Sequence, residues 1–220
     1  LAAAAQAGPV IPVFVREDGR RGSRRLGGAS RWWLHHSLEA LSADLAGRGS
    51  RLVLRKGDAV EELCRLAKEV GAKAVHAIAH YEPWWRKAER ELGDRLDLVL
   101  HHGNYLMPPG SVRTGAGEAY KIYTPFARAL VPCLPGREVL DVPRLPAPDD
   151  WPRGDALKDW ALLPTRPDWA GGMRDFWKVG EAAAHARLST WLGDVAAYDC
   201  PRTLPSADGS SRLSAHLHWG

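Results

Sequence analysis

Near its end the sequence reads Gly209-Ser-Ser-Arg-Leu-Ser214, which places three hydroxyls and one guanidinium within five residues. Gly209 lets the backbone turn, and Ser210 or Ser211 can cap a helix that follows. Free amides at a helix start attract anions, the hydroxyls of Ser210, Ser211 and Ser214 can donate, and Arg212 adds positive charge. The chemistry on offer is phosphate binding. The same residues also suit an ordinary serine-capped helix. Histidines occur as His35-His36, His76 with His80, His101-His102, and His216 with His218. No Cys, Asp or Glu is read beside them at metal-site spacing, so no metal site is expected. There is no Gly-x-Ser-x-Gly, no Walker loop and no His-Glu-x-x-His, so no hydrolytic machinery is expected. Arg20, Arg21, Arg24 and Arg25 form a basic loop, read as solvated rather than as a nucleic-acid arm.

These residues need a scaffold. Leu1 to Gly8 reads as the tail of a helix closed by Gly8-Pro9. It has no start signal, which predicts that the chain begins mid-helix with structure missing upstream. Val10 to Val15 is a continuous apolar run of the kind a buried parallel strand needs. Ser30 is positioned to cap a helix carrying Leu34, Leu38, Leu41 and Leu45, which Gly47 and Gly49 end. Arg51 to Arg55 is a short strand. Asp58 and Glu61 form a capping box before the stripe Val60, Leu63, Ala67 and Val70, and Gly71 stops that helix. Lys73 to Ala79 and Arg95 to Leu100 read as strands, separated by a helix that Pro83 starts and Gly93 ends. Strands alternating with helices predict an α/β fold, a Rossmann-like parallel sheet with helices on both faces. Ligands of such sheets bind at the carboxyl ends of the strands, here the loops after Val15, Ala79 and Leu100. Eight of the 16 prolines fall between Pro132 and Pro167, so the sheet cannot continue there. That stretch predicts a long connection with little regular structure, after which helical pattern returns at Glu181 to Leu192.

Composition narrows the class. The chain has 220 residues, 45% hydrophobic and 25% charged, as in soluble globular proteins. No apolar run is long enough for a membrane helix, and no signal peptide is read. Three widely spaced cysteines, Cys64, Cys133 and Cys200, argue against a disulfide framework and fit a reducing cytoplasm. A net charge of +4 permits a polyanionic partner without requiring one. Ten tryptophans serve core packing, or stacking and electron transfer beside an aromatic cofactor.

Three segments taken together resemble one family. They are Gly110-Ser-Val-Arg-Thr114 with Tyr120-Lys-Ile-Tyr-Thr-Pro-Phe126; Trp169-Ala-Gly-Gly172 with Trp177 and Gly180-Glu181; and Tyr198, Arg202 and Pro205 with Gly209 to Gly220. Ser30-Arg-Trp-Trp-Leu34 and Tyr81-Glu-Pro-Trp84 add to the likeness. In order and spacing the set is similar to the DNA photolyase/cryptochrome family, and the likeness covers essentially the whole chain.

The resemblance implies a division into a photolyase-type α/β domain over residues 1–132 with its first strand missing, an interdomain linker over 133–177, and the start of an all-α FAD-binding domain over 178–220. It implies FAD held by Tyr198, Ser210, Ser211, Arg212, Leu213 and Ser214, and DNA touched by Arg202. Ser210 stands where relatives usually carry threonine, and Ala215 where many carry proline. Glu82 is the position implied for a second, antenna chromophore, a deazaflavin, FMN or folate. Trp84 and Trp85 depart there from the polar residues of some folate binders. The implied activity is that of a deoxyribodipyrimidine photolyase, acting on pyrimidine dimers of UV-damaged DNA as a monomer. The competing readings are a blue-light photoreceptor of the cryptochrome type and an inactive fragment or stand-alone binding module. Because the implied FAD domain is incomplete, the 220 residues by themselves are expected to be inactive.

Overall fold

The structure is a computed structural model that describes residues 1–18, 25–134, 136, 140–199, 201–204 and 206–219. Arg20, Arg21 and Arg24 of the basic loop, together with Cys200, Pro205 and Gly220, lie outside the described residues. In chain order the elements are α1 (Ala2–Ala7), β1 (Val13–Arg16), α2 (Gly28–Ala46), β2 (Val53–Lys56), α3 (Ala59–Val70), β3 (Ala74–Ile78), α4 (Pro83–Gly93), β4 (Asp97–His101), α5 (Tyr123–Leu130), α6 (Gly171–Phe176), α7 (Glu181–Asp194) and α8 (Ser214–Trp219). Short 3-10 turns include Leu157–Trp160 and Pro201–Thr203. The alternation of β1 to β4 with helices is the α/β character expected. The chain divides into two compact units, Leu1–Val10 with Lys56–Pro152 and Ile11–Arg55 with Arg153–Gly220.

In the first unit β3 and β4 run parallel, in register from Ala74 opposite Asp97 to Ile78 opposite His101. Side chains alternate along a strand, so Val75 and Ala77 share a face with Leu98 and Leu100. Val75 and Leu98 pack there against buried Val60 of α3 and Ala88 and Leu92 of α4. Both ends of α3 follow local rules. The Asp58 carboxylate accepts from the amides of Val60 and Glu61, and Gly71 closes the helix in the left-handed conformation at φ 63°. The expected capping box forms only in this half, because both oxygens of Glu61 are taken by the Arg95 guanidinium. A two-pronged, charge-assisted contact outcompetes a bond back to one backbone amide. Pro83 opens α4 as expected.

In the second unit β1 pairs with β2, and Val53 N–H donates to Pro12 O at 2.8 Å. β1 begins at Val13, three residues later than its apolar run, because Pro12 has no N–H to give a ladder. The helix α2 also differs from expectation. It starts at Gly28 with Gly27 as its N-cap, so Ser30 lies inside the helix rather than capping it. Trp32, Trp33, Leu38 and Leu45 form its buried face, while Leu41 is 41% exposed. The two indoles are the largest apolar surfaces on the helix, and their burial sets its rotation. Among the described residues the pairings are β1 with β2 and β3 with β4.

The proline-rich stretch is less idle than its composition suggests. Leu145, Trp160, Leu162 and Ala170 are all buried. Asp155 N–H donates to Leu54 O at 2.8 Å. A Cβ on Gly154 would sit 3.1 Å from the Leu54 amide nitrogen and 3.2 Å from its carbonyl oxygen, so this close backbone approach needs glycine. Arg16 donates to Trp160 O at 2.7 Å, and Phe14 lies against the Trp160 ring at 6.1 Å. Among the described residues no helix is long and apolar enough to cross a membrane.

Candidate functional site

The segment Ser210 to Ser214 forms a turn that leads into α8, and the turn is held from outside. Arg187, on α7, donates from Nε to Ser211 O at 2.9 Å and from Nη2 to Ser210 O at 2.7 Å. The same Nη2 lies 3.2 Å from Asp208 Oδ1, and Arg212 Nε lies 2.8 Å from that oxygen. Asp208 is therefore shared by two guanidinium groups. Two positive charges against one negative leave the turn with a surplus positive charge, as an anion site requires. Arg212 adopts φ 54°, a left-handed conformation uncommon for a residue with a side chain. Its guanidinium stacks over Phe176 at 4.6 Å from the ring centroid. Leu213 N–H points to Ser211 Oγ at 3.4 Å, while the side chains of Ser210 and Ser214 face solvent. Hydroxyls, amides and a net positive charge on a fixed turn are a donor set that fits a phosphate-bearing group.

Tyr198 and Arg202 form a second group. The Arg202 guanidinium lies 5.3 Å from the Tyr198 ring centroid and 4.0 Å from the Asp199 carboxylate, and the Tyr198 ring meets Trp191 edge-on at 5.8 Å. Arg202 is exposed, as a surface contact to DNA would require. Among the described residues no hydrogen bond or ring contact joins this pair to the Ser210–Ser214 turn.

Behind the turn, α8 is anchored by Ala215 and His216. Buried Trp32, Trp33 and Ala170 form a cluster against which Met173, Trp177, Val179 and Ala215 pack. His216 meets Trp33 at 5.1 Å and Trp177 at 6.3 Å, both edge-on. Burial without a partner for Nδ1 holds the His216 imidazole below its usual pKa, because the charged form would lose hydration. Three segments singled out separately in the sequence, Ser30–Leu34, Trp169–Trp177 and Gly209–Gly220, thus meet in one cluster.

At the carboxyl ends of β3 and β4 stands a second polar group. Tyr81 Oη and His102 Nδ1 are 2.7 Å apart, and Tyr105 meets the Tyr81 ring edge-on at 5.2 Å. Glu82 is exposed at the N-cap position of α4 without capping it, 3.8 Å from His80 Nδ1. His80 stacks on Trp85 at 5.2 Å. His76 and His101 stack in the same region, with ring nitrogens 3.0 Å apart.

Sequence reasoning missed Arg187, which binds two carbonyls and a carboxylate of the turn. Its helical position resembled any solvated charge, and only its distance of more than 20 residues from its partners made the contact invisible. The expectation that no acidic residue accompanies the histidines also fails on α2. Glu39 stands one turn beyond His35-His36, and its Oε2 lies 3.2 Å from His36 Nδ1.

The structure thus describes an α/β protein in which a turn before its last helix carries hydroxyls, amides and two guanidinium groups. The DNA photolyase family model matches residues 1–149, and the chain belongs to that family. It is 40% identical to a deoxyribodipyrimidine photo-lyase of Agrobacterium fabrum, over 100% of this chain and 47% of that protein. The crystal structure of a bacterial class III photolyase from Agrobacterium tumefaciens superposes with a TM-score of 0.85 and 39% identity, covering 98% of this chain and 46% of the other. A Synechocystis cryptochrome shares the fold at a TM-score of 0.78 and 20% identity, over 98% of this chain and 48% of that one. The chain spans about half the length of the curated photolyase it matches.

Proposed function

We propose that the chain is part of a deoxyribodipyrimidine photolyase that splits pyrimidine dimers in UV-damaged DNA under near-UV or blue light. What carries the reading is the 40% identity to the Agrobacterium fabrum photo-lyase, which extends across the whole chain. FAD, if bound and reduced, would supply the electron chemistry that opens the dimer, and that chemistry belongs to the cofactor. This chain's residues bind and orient. Ser210, Ser211, Leu213 and Ser214 offer hydroxyls and amides to the FAD phosphates, and Arg212 adds charge. Arg187 holds the Ser210 and Ser211 carbonyls by donating to both, and Tyr198 would contribute an aromatic face. Arg202 would touch the DNA, whose lesion is flipped out of the duplex.

On this reading residues 1–132 belong to the α/β domain, 133–177 to the linker and 178–220 to the FAD domain. The group of Glu82, Tyr81, His102 and Tyr105 is the proposed place for an antenna chromophore, a deazaflavin, FMN or folate. The protein is proposed to work as a cytoplasmic monomer. The test is survival of a photolyase-deficient bacterium after UV irradiation, complemented with the complete gene that contains this chain. Survival should rise under blue light and not in the dark. Equal survival in both would sink the repair reading and favour a photoreceptor.

A further inference from the structure

One turn beyond the buried Trp32–Trp33 pair, α2 gathers three side chains that carry metal-binding atoms. One ring nitrogen of His35, one of His36 and one carboxylate oxygen of Glu39 all lie within 4.8 Å of one another. The helix itself produces the grouping, because residues three and four apart share a face and Glu39 therefore stands over both histidines. The two imidazoles meet edge-on at 5.3 Å, and His36 is backed by the edge of Trp32 at 4.6 Å. Trp32 is 2% exposed, so the turn that carries the histidines is clamped to the core. His35 Nδ1 is buried and has no hydrogen-bond partner. Glu39 is exposed, which leaves an open approach from solvent.

We propose that His35, His36 and Glu39 bind a divalent transition-metal ion of the zinc, nickel or copper class. Two imidazoles and one carboxylate are the donors such borderline ions prefer, and a single oxygen donor is too few for calcium or magnesium. Around a tetrahedral ion with bonds of about 2.0–2.1 Å, neighbouring donors stand roughly 3.3 Å apart. His36 Nδ1 and Glu39 Oε2 already stand 3.2 Å apart. The His35 ligand nitrogen lies within 4.8 Å of both, close enough for three-point binding, and water would fill the remaining position. Two other groups lack one part of this set. His76 and His101 are paired with each other at 3.0 Å, and His185 with Glu181 at 3.7 Å offers a single imidazole. The site is independent of the light-driven reading.

The purified, untagged chain is titrated with Zn²⁺ by calorimetry and with Co²⁺ by visible absorption. One ion per chain is expected. His36→Ala, His35→Ala and Glu39→Gln should each weaken binding by about tenfold or more, while His76→Ala leaves it unchanged. Unchanged zinc affinity in a His35→Ala/His36→Ala chain with native circular dichroism overturns the assignment, as does loss of binding in His76→Ala. If the histidine variants do not fold, Glu39→Gln decides, because Glu39 is exposed: unaltered zinc affinity and an unaltered Co²⁺ spectrum there overturn the site.

Discussion

The stretch from Asp58 to His101 and the stretch from Glu181 to Trp219 are both strings of short elements, but they are held in different ways. In the first, Asp58 and Gly71 bound α3, Pro83 opens α4, and the apolar stripes of α3 and α4 close on β3 and β4. In the second, α7 buries no residue and the turn before α8 is fixed by Arg187, Asp208 and Arg212. The scaffold is organised by burial, which is non-directional and forgiving of detail. The candidate site is organised by charge-assisted hydrogen bonds and a left-handed arginine, which depend on a few exact partners. That is the arrangement a preorganised anion site needs, and it makes the site sensitive to single polar changes.

This contrast can be broken by mutation. Leu92→Ala should destabilise the first stretch by about 2–5 kcal/mol, read as a lower urea midpoint, because it leaves a cavity against Val60 and Ala88. Arg187→Met should cost about 1–2 kcal/mol of local stability, because the part-buried Ser211 carbonyl loses its charged donor while the exposed Ser210 carbonyl turns to water. It should speed hydrogen exchange at the amides of Leu213 and Leu217 and leave the β3 and β4 amides protected. Equal loss of protection in both stretches would show that the two are not held separately. Asp58→Ala should cost about 1 kcal/mol, because the Val60 and Glu61 amides lose their acceptor.

The smallest effect concerns pH. His216 is held below its usual pKa by burial, so the unfolded chain binds the proton more readily than the folded one. Its contribution to stability is complete above about 6.5 and is lost as pH falls through the lower folded value. His216→Phe should flatten the acid limb of a thermal-melting profile below that pH. An unchanged slope would mean that the imidazole is hydrated in the folded chain.

Much of the scaffold was legible because local and tertiary preferences agree. Asp58, Gly71 and Pro83 act through neighbours within one turn and stand where the sequence predicts; of the α3 stripe Val60 and Ala67 are buried, but Leu66 is buried in place of the partly covered Leu63 and Val70. Ser30 was misplaced because Gly27 and the burial of Trp32 and Trp33 set the start and rotation of α2 instead. The turn over Ser210–Ser214 is legible as a break before a final helix, while the run of hydroxyls with a guanidinium suits a phosphate site and an ordinary capped helix alike. Arg187 was not legible, because its partners lie 21 to 24 residues away and no periodicity links them.

The sequence by itself determined the alternation of strands and helices, the Asp58 and Gly71 caps of α3, the break at the prolines and which hydroxyls and guanidinium share the turn before α8. All of these act over a few bonds. Tertiary structure decided which strands pair, that Trp160, Leu162 and Ala170 of the proline-rich stretch are core residues, and that Arg187 and Asp208 shape the turn. It also brought Trp33, Trp177 and His216 into one cluster. Those outcomes depend on which distant surfaces exclude water together and which charges find each other, and no local rule encodes either.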